Sequence, residues 1–194
     1  MNATTDVRQH ILDTAQPLFL SRGFTAVGLT EVLGAAGVPK GSFYHYFGSK
    51  EAFGEAVIED YFTGYLARLD EMFAKPGKGA RRVMDFFDDW LKSQTGDEAS
   101  SRCLAVKLGA EVCDLSESMR DALHRGTSGV VDRLAAAIER AREDKSLPKG
   151  ADAHALAQML YQSWIGASLL AKIARDRTPL DTALATTRQL LKLA

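Results

Sequence analysis

Apolar residues recur at intervals of three and four along most of this chain, a period that helices satisfy and strands do not. In residues 7–20 the series is Val7, Ile11, Leu12, Ala15, Leu18 and Phe19; Val83, Phe86, Phe87 and Trp90 form another, and Met119, Leu123, Val130, Leu134 and Ile138 a third. The Val- and Ile-rich runs that a parallel sheet requires are missing. The pattern predicts an all-α fold of about nine helices. Gly37 and Pro39 separate a helix over 29–36 from a short one that Pro39, Lys40, Gly41 and Ser42 open and that runs through Phe47. Ser49 is placed to cap the next helix, from Lys50 to about Phe73, and Lys75-Pro76-Gly77-Lys78-Gly79 is a break. Further helices are expected over about 80–93, 103–113, 116–142, 152–175 and 180–192. In the first helix Asp6 is expected to cap the start, Gly23 to stop the end, and Pro17 to kink the middle.

Composition narrows the class. Apolar residues make up 46% and charged residues 25% of 194 residues, which excludes intrinsic disorder. No apolar run reaches the ~18–20 residues that span a bilayer, and the first residues, with Asp6 and Asp13, lack the apolar core of a signal peptide. A cytoplasmic protein is expected, with no membrane partner. The four histidines are scattered, and no metal-ligand spacing is present, so neither a metal nor a cofactor is expected. No nucleophile–base pair and no phosphate-binding glycine loop points to an enzyme. The net charge is −1, so any polyanion must be bound by a local patch or by helix ends.

Residues 29–47 have the proportions of a helix-turn-helix: about eight residues, a tight turn at Gly37-Val38-Pro39, then a second short helix. The second helix carries Lys40, Ser42, Tyr44, His45 and Tyr46, while Phe43 and Phe47, at i and i+4, face a small core. Gly41 allows close backbone approach to a phosphate. Tyr44 can reach a phosphate through its hydroxyl, Lys40 a phosphate or a guanine edge. The competing reading is an ordinary aromatic core cluster. Charge does not decide between them, since residues 1–50 hold Arg8, Arg22, Lys40 and Lys50 against Asp6, Asp13 and Glu31.

The stretch F-L-S-R-G-F-T, then L-T-E-V-L-G-A-A-G-V-P-K-G-S-F-Y-H-Y-F-G-S-K-E-A-F, resembles the DNA-binding domain of the TetR family of transcriptional repressors. The resemblance implies a DNA-binding domain over 1–49 and a regulatory and dimerisation domain over 50–194. It implies contacts to double-stranded operator DNA from Lys40, Gly41, Ser42, Tyr44, His45 and Tyr46, with Lys50 on a phosphate. Gly28 stands where a hydroxyl residue is common, leaving at most a backbone contact there, and Tyr46 stands where the family often has His.

A second constellation surrounds the two cysteines, Cys103 and Cys113. Cys103 is expected in the first turn of a helix, beside Arg102 and one turn before Lys107. Helix amides and cations favour thiolate. The flanking Glu111 and Asp114 are expected to make Cys113 the less reactive thiol. The residues leave open whether Cys103 is instead a small buried hydrophobe. The segments C-L-A-V-K-L-G-A-E-V-C-D-L-S-E-S-M-R and W-I-G-A-S-L-L-A-K-I resemble the N-ethylmaleimide-reductase repressor type within the same family. That resemblance implies a sensor of electrophiles or oxidants at Cys103, with Lys172 as its partner.

The helix over 152–175 is apolar or small around more of its circumference than one core face needs. With the last helix, it is implied by the family to form a homodimer interface. The alternative function is a repressor released by a reversibly bound small apolar molecule, lined by Phe62, Phe86, Phe87, Trp90 and Trp164, though such residues equally build a core.

Overall fold

A computed structural model describes residues 3–95 and 103–193. Among the described residues there are nine α-helices and no strand: α1 Ala3–Arg22, α2 Leu29–Ala36, α3 Lys40–Tyr46, α4 Lys50–Ala74, α5 Gly79–Thr95, α6 Leu104–Cys113, α7 Glu117–Glu143, α8 Ala153–Ala174 and α9 Thr178–Leu190. Arg102, expected beside Cys103, lies outside the described residues.

Local chemistry sets most of the boundaries. Gly37 takes the left-handed conformation (φ 65°) that closes α2, and its N–H and that of Val38 return to the carbonyls of Gly34 and Leu33. Ser49 Oγ accepts the Ala52 N–H at 3.0 Å to start α4. Asp152 does the same for α8, accepting from the Ala155 N–H at 2.8 Å. One expectation for α1 fails: the helix begins at Ala3, so Asp6 lies within it rather than before it. Pro17 stands inside the continuous helix. Pro17 is exposed, as is Asp13, whose carbonyl loses its helical donor; water can serve that carbonyl instead.

The chain forms two compact units, neither continuous in sequence: residues 1–64 with 97–126, and residues 65–96 with 127–194. In the first, α1, α3 and the start of α4 meet on Phe53, whose ring lies 5.9 Å from that of Phe19, 5.3 Å from Phe43 and 4.8 Å from Phe47. All four are buried. Edge-on and tilted pairs of this kind add about 0.5–1.5 kcal/mol each beyond the area they bury. His10 on α1 bonds the carbonyl of Ala36 at 3.0 Å, and Arg22 pairs with Glu31, so α1 braces both ends of α2. The first ten residues of α7 belong to this unit, ending at Gly126, where the ring of Phe62 on α4 occupies the space a side chain would need.

The second unit is built on tryptophan. Phe87 stacks on Trp164 at 5.2 Å, Trp90 lies 5.8 Å from Trp164, and Phe86 meets Trp90 edge-on. Both indole N–H groups are served inside the core: Trp90 donates to Ser168 Oγ at 3.0 Å and Trp164 to Thr187 Oγ1 at 2.9 Å. Four of the five aromatics weighed as a ligand lining thus pack on one another. On α8 the residues Leu160, Trp164 and Ala167 face this core, while Met159, Leu170 and Ile173 lie on another face and are exposed, Ile173 at 69%.

Candidate nucleic-acid interface and thiol site

The two faces of α3 separate cleanly. Phe43 is fully buried and Phe47, just past the helix end, nearly so, which fixes the helix to α1 and α4. On the other side Lys40, Gly41, Tyr44 and His45 are exposed, with Ser42 and Tyr46 partly buried. Tyr44 is 56% exposed even though its ring packs edge-on against Phe43 at 5.3 Å. A large aromatic held outward by a buried neighbour presents its hydroxyl at low conformational cost. The His45 and Tyr46 rings pack edge-on at 5.0 Å.

Lys50 and Gly28 complete the expected set. Lys50 does not stand free at the start of α4; its ammonium lies 4.7 Å above the ring of Phe24. That cation–π contact holds the side chain against the turn after α1. Gly28 is the N-cap of α2 in extended conformation (φ −81°, ψ 146°), with no side-chain cap and nothing within 4 Å of where a Cβ would stand. The first-turn amides of α2 are therefore uncapped by any side chain.

Cys103 is the N-cap of α6, one residue earlier than its expected place in the first turn. Tyr61 of α4 closes the site: its hydroxyl accepts the Leu104 N–H at 3.4 Å. Burial pushes the Cys103 thiol above its usual range, while the backbone N–H groups of Val106 and Ala105 pull the other way. The expected sign is therefore reversed: helix amides favour thiolate, and desolvation outweighs them. Cys113 is exposed at the other end of α6. Lys172 is exposed on α8, in the second unit, whereas Cys103 belongs to the first.

One role in this site was invisible in the sequence. Glu111 reaches from α6 to the turn between α1 and α2, where its carboxylate accepts the N–H groups of Phe24 at 3.1 Å and Thr25 at 2.6 Å. Although desolvation opposes it, hydrogen bonding from Thr25 and Phe24, with the charge of Lys107, holds its carboxyl below the usual carboxylate range. More than 80 residues separate the partners. Its position in the helix over 103–113, beside Cys113, was legible; its hold on this turn was not.

Residues 11–57 match the model of bacterial regulatory proteins of the TetR family, and residues 79–187 match the tetracyclin repressor-like C-terminal domain. The chain belongs to the TetR family. It is a DNA-binding regulator, and the helix-turn-helix described above is the TetR reading head. Among TetR-family relatives, the chain is similar to the HTH-type transcriptional repressor NemR of Escherichia coli K12, at 45% identity over 96% of this chain and 94% of that one. It is also similar to the HTH-type transcriptional repressor DhaR of a Mycobacterium species, strain GP1, at 33% identity over 92% and 89%. The crystal structure of the reduced form of E. coli NemR superposes with a TM-score of 0.89 over 95% of this chain and 96% of that chain. Among the described residues no helix is long and apolar enough to cross a membrane, and no cluster of His, Cys, Asp or Glu is placed to hold a metal ion.

Proposed function

We propose that this chain is a homodimeric operator-binding repressor that releases DNA when Cys103 is modified by an electrophile or oxidant. One observation carries the reading: Cys103 caps α6 within the same compact unit as α1, α2 and α3. A change at the thiol is thus a change in the frame that holds the recognition helix.

On this reading α3 enters the major groove. Lys40, Gly41, Ser42, Tyr44, His45 and Tyr46 contact phosphates and base edges, and the uncapped amides at Gly28 meet the backbone. The exposed apolar side of α8, with Leu190 on α9, covers the same surface of a second copy. The pair then sets the two recognition helices about one helical turn, ~34 Å, apart. An N-ethylmaleimide-type electrophile adds to Cys103 as the sulfur forms a bond to an alkene carbon. The thiol proton leaves to solvent, and the neighbouring carbon takes one from water. The adduct adds bulk at a part-buried thiol at the start of α6, and α6 moves to accommodate it. Tenfold weaker binding needs only about 1.4 kcal/mol of preference for the released state.

The test is an electrophoretic shift on DNA upstream of the chain's own gene. It compares wild type, Cys103→Ser and Cys113→Ser, with and without N-ethylmaleimide. Release is expected for wild type and Cys113→Ser, and retention for Cys103→Ser. Release of Cys103→Ser would place the sensor elsewhere.

A further inference from the structure

α6 carries Cys103 at one end and, about two turns on, Glu111. Three observations concern what Glu111 holds. Its two carboxylate oxygens take the N–H groups of Phe24 and Thr25, in the turn that leads into α2. Gly23, just before them, has φ +92°, and a Cβ there would stand 2.7 Å from Glu111 Oε2, so the turn closes directly over the carboxylate. Phe24 is itself a junction. Its ring packs on Phe19 of α1, lies under the Lys50 ammonium of α4, and fills the space beside Gly54, where a Cβ would stand 2.6 Å from it. The turn that Glu111 grips is therefore wedged between α1 and α4 and is followed at once by α2.

We propose that Glu111 is the positioning residue that couples Cys103 to the helix-turn-helix, gripping the turn before α2 while the thiol is free and releasing it when α6 is displaced. The inference rests on the Cys103 reading above. A ten-residue helix of about 15 Å moves as one body. Displacement at its Cys103 end is delivered at Glu111, and a shift of about 1 Å takes bonds of 2.6 and 3.1 Å beyond hydrogen-bonding range. Phe24 and Thr25 then lose their acceptors, and α2, which begins four residues later at Leu29, loses a fixed point of entry.

The experiment measures operator dissociation constants before and after N-ethylmaleimide in a Cys113→Ser background, with Cys103 occupancy followed by intact mass. Glu111→Ala and Glu111→Gln are compared with the parent. In the parent, alkylation is expected to weaken binding by a factor of order 5–150, the usual span of coupling between sites. In Glu111→Ala that ratio is expected to fall to within about threefold of unity at equal Cys103 occupancy. Glu111→Gln, which keeps its shape and one acceptor, is expected to fall between. A purely structural role would weaken the free and alkylated forms alike and leave the ratio intact; an unchanged ratio in both variants overturns the coupling. A parent that keeps its operator at full alkylation overturns the Cys103 reading and the coupling together.

Discussion

Two glycines in neighbouring helices allow the packing account to be tested with a change of sign. Gly126 of α7 and Gly109 of α6 are both interior to helices, so alanine at either gains about 1 kcal/mol of helix propensity. Their surroundings differ. A Cβ at Gly126 would stand 2.2 Å from Cδ2 and Cγ of Phe62, whereas at Gly109 nothing lies within 4 Å. Phe62 is 4% exposed and sits edge-on to Tyr61 at 5.2 Å, so its ring cannot swing into water. Overpacking a well-filled core costs typically 1–3 kcal/mol, and a rigid ring at this distance belongs at the upper end. The net effect expected for Gly126→Ala is a loss of about 2 kcal/mol, against a gain of up to about 1 kcal/mol for Gly109→Ala. For a chain of this length 1 kcal/mol moves Tm by about 2–4 °C, so Gly126→Ala should melt about 4–8 °C below wild type and Gly109→Ala up to about 4 °C above it. The assay is thermal unfolding followed by circular dichroism at one fixed protomer concentration, because dimerisation shifts Tm with concentration. Gly126→Ala melting at or above wild type would refute the claim that α4 and α7 approach too closely for any side chain at that position.

Three further outcomes are expected. Gly28→Ser, in an open and correctly extended N-cap, should stabilise by a few tenths of a kcal/mol and tighten operator binding by adding a hydroxyl beside the DNA face; weaker binding in filter or shift assays would count against that placement. Ile173→Glu should move the protein toward monomer in sedimentation and abolish specific shifts, since it puts a charge in the apolar face of α8. Because burial raises the Cys103 thiol, its alkylation should lag behind that of the exposed Cys113 at neutral pH. It should accelerate as pH rises past the ordinary thiol range near about 8.5, where thiolate first accumulates; peptide mapping over pH 7–10 reads both rates, and a Cys103 rate already at its plateau near neutrality would contradict the burial argument.

Much of the fold could be read from local signals, because those signals act within a few residues. α2 spans the expected 29–36 because Gly28, Gly37 and Pro39 act on the backbone where they stand. Ser49 caps α4 as its spacing predicted. The outward row of α3 followed from Phe43 and Phe47 being paired inward. What could not be read shares a different cause. α1 continues through Pro17 because burial of Ile11, Leu12, Ala15 and Phe19 on both sides of it offsets the local cost. The Cys103 thiol was judged from its own helix, whereas its surroundings desolvate it and Tyr61 of α4 closes over the start of α6. Lys50 stands at the start of α4, and its ammonium also meets the ring of Phe24, a contact that no local spacing announces. Glu111 bonds a turn more than 80 residues upstream, and no spacing rule reaches that far.

The body that contains the reading head is assembled from two stretches of chain, with α5 intervening between them. Cutting after the fourth helix and grafting the front portion onto a foreign sensor would discard the carboxylate that seats the Phe24–Thr25 turn. Chimeric repressors made from this chain should therefore carry the segment through Gly126 along with the first 64 residues, and swaps that ignore that second stretch should yield a loosely seated, poorly discriminating binder.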